Sequence, residues 1–194
     1  RGTIVQVGSA LAYRAIPLQA PYCGAKFAIR GFTDSIRSEL IHRNSRVWIS
    51  MVLLPAVNTP QFGWCRARLR RQPQPVAPIF QPEVAAQAIY WTAHHRRREV
   101  QLGLSSVAII WINKFFAHLL DRYLASWAVD GQQTDQALDP DRPDNLYQPV
   151  AADVAARGAF DPKAHAASVQ WWITTHRPWL LGALGLLILI LAVA

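Results

Sequence analysis

Three residue types at fixed spacing could do chemistry together: Tyr22, Lys26 four positions on, and Ser9, thirteen positions before the tyrosine. On a helix, positions i and i+4 share a face, so the phenol and the ammonium would stand side by side. Ser9 follows an apolar run at 3–7 that reads as a strand, which would put its hydroxyl at a strand end. These three groups converging on one small volume suit hydride-transfer chemistry, where the reduced oxygen needs a proton donor and no protein nucleophile is required. A free tyrosine, with a pKa of about 10, is a poor base near neutrality. A neighbouring ammonium stabilises the phenolate and would lower that value.

The elements that must position these groups can be read in order. Residues 3–8 suit a short strand buried on both faces. Pro21 fits the first turn of a helix over 20–43, with small residues at Gly24, Ala25 and Ala28 and apolar ones at Phe27, Ile29, Phe32, Ile36, Leu40 and Ile41. A second strand, VWISMVLL over 47–54, stops at Pro55. Residues 59–82 read as a long proline-punctuated loop carrying Phe62, Trp64 and Cys65, either a substrate lid or a surface flap pinned by its own aromatics. A helix over 82–96 and a short strand over 99–104 follow.

Ser9, Tyr22-Cys23-Gly24-Ala25-Lys26 and Pro55-Ala56-Val57-Asn58-Thr59-Pro60, in that order, resemble the later half of a short-chain dehydrogenase/reductase over residues 2–105. A lone Tyr-x-x-x-Lys is a weak signal; three features in register are a strong one. The resemblance implies an α/β fold, a partial Rossmann-like doubly wound parallel sheet whose three strands are neighbours at one side, with the N-terminal cofactor half missing. It implies NAD or NADP as cofactor and the interconversion of an alcohol with a ketone or aldehyde. Tyr22 would be the proton donor, Lys26 would tune it and bond the nicotinamide ribose, and Ser9 would hydrogen-bond the substrate oxygen. Pro55, Ala56, Val57 and Thr59 would border the nicotinamide, although Ala56 stands where the family has glycine. A homodimer through helix 20–43 is also implied. The competing reading is a catalytically silent, membrane-associated scaffold that keeps the fold.

The rest of the chain qualifies this picture. The 194 residues suit one domain with a sizeable core, carry a formal charge of +8 and are 52% hydrophobic with eight tryptophans. Arginine clusters at 66–71 and 96–98 read as a solvated loop and helix end, and no nucleic-acid module accompanies them. Cys23 and Cys65 are far apart and read as free thiols of a reducing compartment; no metal-ligand spacing occurs, so no metal is expected. A strand begins almost at once and no Gly-rich phosphate loop is present, so the chain reads as a C-terminal fragment with little activity alone.

Residues 105–127 form a helix pattern, capped by Ser105 or Ser106, whose charges Lys114, Asp121 and Arg122 favour a packed or membrane-surface helix. The organisation expected is an enzyme portion over 1–127, a polar linker or irregular tail over 128–170, and a membrane anchor over 171–194. The last sixteen residues, 179–194, are uncharged. As a helix they would reach roughly 24 Å against a hydrocarbon core of about 30 Å, and Trp171, Trp172 and Ile173 would lengthen them. Arg177 and the basic balance put the enzyme portion on the cytoplasmic side of a membrane; a soluble cytoplasmic protein is the alternative. The substrate expected is a small carbonyl compound or alcohol, apolar in character.

Overall fold

The computed structural model describes residues 1–151 and 155–193, and the linker and anchor expectations that reach 152–154 and 194 lie partly outside these. The order of elements is β1 (Gly2–Ser9), α1 (Ala20–His42), β2 (Val47–Leu54), β3 (Ala56–Val57), α2 (Gln61–Trp64), β4 (Arg71–Pro73) and β5 (Ile79–Phe80). Then come α3 (Pro82–His94), β6 (Glu99–Gln101), α4 (Leu104–Gly131), β7 (Gln133–Ala137), β8 (Ala164–His165) and α5 (Val169–Val193).

β2 is the centre of the fold. Its eight residues are mostly apolar or β-branched, and Met51, Val52 and Leu53 are almost wholly buried. It pairs in parallel with β1 on one side and β6 on the other, giving the order β1-β2-β6. Successive β2 side chains point to opposite faces. Val52 packs with Val84, Ala85 and Ala88 of α3, whereas Met51 and Leu53 pack with Ile29 of α1. Helices therefore cover both faces, and the parallel α/β sheet expected from the sequence is present. Truncating Leu53 to alanine would cost roughly 2–5 kcal/mol through the cavity left behind.

Several local expectations change. β1 is not buried on both faces: Ile4 and Val7 are 45% and 38% exposed, because β1 is an edge strand with β2 as its sheet neighbour. The cap of α4 is Gly103, not a serine; its φ of +84° is a left-handed conformation that glycine adopts without strain. The 59–82 loop contains α2, β4 and β5. The 128–170 stretch, expected as an irregular linker, contributes β7, which pairs antiparallel with β4, and β8, which pairs in parallel with β5. Backbone ladders and side-chain bonds hold those pieces to the body, which composition alone did not signal.

Candidate active site

Ser9 stands opposite Leu54 in the β1–β2 register, so both strands end at one edge of the sheet. The Ser9 side chain is buried; its hydroxyl donates to the Leu54 carbonyl at 3.4 Å and accepts from the Leu11 amide at 3.2 Å. The second bond caps a single 3-10 turn, Ala10–Ala12, which starts the chain back towards α1. That return is held by α4: Asn113 donates to the Tyr13 carbonyl at 3.0 Å and Gln132 to that of Pro17 at 2.9 Å.

α1 begins with Pro21 in its first turn, where a missing amide costs nothing, and Tyr22 follows at once. Tyr22 is 42% exposed. One turn on, the Lys26 ammonium donates to the Val7 carbonyl at 3.2 Å and lies 5.4 Å from the centre of the Tyr22 ring. Burial raises the Tyr22 phenol above its ordinary value, while hydrogen bonding with the Ser9 hydroxyl pulls it back. Burial lowers Lys26. The lowering of Tyr22 anticipated from Lys26 is thus not the outcome, since the ammonium sits over the ring and is engaged by Val7, and burial dominates the phenol. Ser9, Tyr22 and Lys26 nevertheless come together at the carboxyl end of β1, where open parallel sheets place their ligands.

Pro55 to Thr59 leave the end of β2 beside this group. Ala56 and Val57 are extended in β3 and pair with Ile79 and Phe80, so alanine fits where the family has glycine. Asn58 is fully buried. Its amide nitrogen donates to Gln81 at 3.2 Å and to Asp161 at 2.9 Å, and its carbonyl oxygen accepts the Phe160 amide at 3.0 Å. Gln81 also donates to Asp161, at 2.8 Å. Sequence reasoning missed Gln81, Gly158 and Asp161 as supports of this loop. The one available signal was a small-residue and acidic run, Gly158 to Asp161, inside an otherwise ambiguous stretch.

The aromatics of the 61–65 segment are pinned from downstream. Phe62 meets Phe160 edge to face at 5.8 Å, Arg142 donates to the Phe62 carbonyl at 2.8 Å, and the Asn145 amide donates to that of Trp64 at 3.1 Å. Cys23 is buried and Cys65 half-buried, both as free thiols.

Residues 1–68 match the short chain dehydrogenase family, and this segment carries Ser9, Tyr22, Lys26 and the Pro55–Pro60 loop. The uncharacterized oxidoreductase YxnA of Bacillus subtilis is 30% identical over 147 residues, which cover 75% of this chain and 41% of YxnA. A hydroxysteroid 11-beta-dehydrogenase 1-like protein of Xenopus tropicalis is 36% identical over 59 residues, 30% of this chain and 21% of that one. A solved short chain dehydrogenase of Burkholderia cenocepacia in complex with NADP is 25% identical, with a TM-score of 0.47 over 63% of this chain and 47% of its own. The chain spans less than half the length of these relatives.

Proposed function

We propose that the full-length protein is an NAD(P)-dependent oxidoreductase that interconverts an alcohol with a ketone or aldehyde, Tyr22 being its general acid and base. The observation that carries this reading is the meeting of Ser9, Tyr22 and Lys26 at the carboxyl end of β1. The residues fit the nicotinamide end of such a cofactor. Lys26 has three donors, of which Val7 takes one, leaving others for a ribose hydroxyl. Pro55, Ala56, Val57 and Thr59 follow directly on the end of β2, where Leu54 is paired with Ser9, and would border the ring. The cofactor, when bound, supplies or accepts the hydride.

The chain's own residues handle the oxygen. Tyr22 donates its phenolic proton to the substrate oxygen during reduction and accepts one during oxidation. Ser9 orients that oxygen with a hydrogen bond and stabilises charge developing on it. Burial, which raises the pKa of Tyr22, keeps it protonated across the neutral range, which suits reduction. The 194 residues alone are expected to turn over little, since no Gly-rich phosphate loop occurs in them.

Two further parts of the reading concern partners. α1 leaves Phe27, Phe32 and Ile41 exposed, which supports a homodimer through that helix. From His176 to Ala192 every described side chain of α5 is exposed, while its first turn is packed, with Trp171 buried against Trp91 at 5.5 Å. A helix of 25 residues reaches roughly 37 Å, enough to cross a bilayer. This supports a membrane anchor, and the basic enzymatic portion, with Arg177 beside the apolar run, favours the cytoplasmic side for it. Titrating NADH and NADPH fluorescence against the full-length protein tests the cofactor assignment: saturable binding of one of them is expected, and binding of neither overturns it.

A further inference from the structure

We infer that the outer face of α4 lies on an anionic bilayer surface beside the anchor helix. This rests on the membrane reading of α5 and extends it to a second, non-spanning element. Trp111, Phe115, Leu119, Tyr123 and Trp127 recur every fourth residue along α4 and are between 45% and 65% exposed. The helix is kinked at Phe116, itself 58% exposed. The inner face is already used: Leu120, Leu124 and Ala128 are buried with Ile16 and Ile109. Asp121 on that side is bonded to Arg14 at 2.5 Å. The aromatic row is therefore not a core face turned the wrong way.

Charge selects the occupant. Lys114, His118 and Arg122 form a second row, each one position before Phe115, Leu119 and Tyr123, and all three are exposed. A basic row running beside an aromatic one matches anionic headgroups above acyl chains, with Trp and Tyr at the boundary. A second copy packed isologously on this face would set basic row near basic row. The two helices also share a root. The Gly103 amide, at the start of α4, donates to Gln170 in the first turn of α5 at 2.8 Å, and Gln170 donates to the Gln101 carbonyl at 3.0 Å. A bilayer that takes up α5 is thereby brought to the start of α4.

The test places one dye at a time in the full chain, with Cys23 and Cys65 replaced by alanine, at Leu119→Cys on α4, Leu189→Cys on α5 or Ser35→Cys on α1. Vesicles of phosphatidylcholine with phosphatidylserine carry doxyl-labelled lipid, and iodide quenches from the water. The Leu119 dye is expected to be quenched by lipid several-fold more than the Ser35 dye and to be shielded from iodide. Lys114→Glu with Arg122→Glu should reverse this while leaving the Leu189 dye quenched by lipid. An iodide-accessible Leu119 dye beside a lipid-quenched Leu189 dye overturns the α4 proposal alone. Shielding of Leu119 without any lipid overturns it in favour of a second copy. If Leu189 escapes lipid quenching the anchor reading fails, and lipid quenching at Leu119 would still support contact through α4.

Discussion

Asn58 and Asp161, 103 residues apart in the chain, meet at 2.9 Å beneath the loop that carries Thr59. The contact ties the segment after residue 155 to the end of β2, so the far end of the chain helps set the shape of the candidate cofactor loop. Gln81 closes the same triangle, and the Gln81 amide donates to the His165 carbonyl at 2.9 Å, extending the tie into β8.

Removing the carboxylate should expose how much that tie contributes. Asp161→Ala leaves the wholly buried Asn58 side chain with one partner fewer and Gln81 without its acceptor. A loss of roughly 1–3 kcal/mol is expected, read from urea denaturation. Unchanged stability would mean that water replaces the carboxylate without cost.

Gly158 reaches the loop more closely than any side chain could. A Cβ there would fall 2.5 Å from the Thr59 carbonyl oxygen and 2.9 Å from the Asn58 side-chain oxygen. Gly158→Ala should therefore push the two segments apart. If Thr59 borders the nicotinamide, the KM for the nucleotide rises in the full-length protein with a smaller change in kcat, measured by steady-state kinetics.

Alkaline pH probes the turn behind Ser9. Tyr13 donates to Glu99 at 2.6 Å, and burial, with that hydrogen bond, raises its pKa to about 12. A raised value means that the folded state holds the proton more tightly than the unfolded one. The resulting stability is present below about pH 10 and is lost as pH climbs from about 10 to about 12. Solvent over the half-exposed ring reduces the effect to about 1 kcal/mol. Denaturation at several pH values should show this decline, and Tyr13→Phe should flatten it.

The candidate catalytic group was legible because its members are local or follow sharp punctuation. Tyr22 and Lys26 are one turn apart behind Pro21, and Ser9 ends an apolar run. β2 announced itself by eight strand-forming residues stopped by Pro55. What stayed hidden depends on partners distant in sequence. β7 is QTDQA, polar enough to read as linker, and becomes a strand because β4 lies alongside it. Asp161 has no local pattern to declare that Asn58 awaits it. Burial of β1 on both faces was expected because Thr3 to Val7 report hydrophobicity alone, whereas burial of a strand depends on its neighbours and β1 has one only on the β2 side.

The protonation state of Tyr22 should appear in the pH–rate profiles. Burial holds the phenol above the ordinary tyrosine value, so carbonyl reduction should stay level through neutral pH. Alcohol oxidation, which needs the phenolate, should keep rising past about pH 10. An oxidation rate that levels off near neutrality would mean that the phenol is far more acidic in the working enzyme.

The most direct measurement is turnover of the full-length protein against its Tyr22→Phe variant, followed by nicotinamide absorbance across a panel of carbonyl compounds and alcohols. The variant keeps the ring and loses the proton. Turnover should fall by about 10²–10⁴-fold, with nucleotide binding and thermal unfolding nearly unchanged. Undiminished turnover in Tyr22→Phe would contradict the role given to this residue, whatever the fate of the fold.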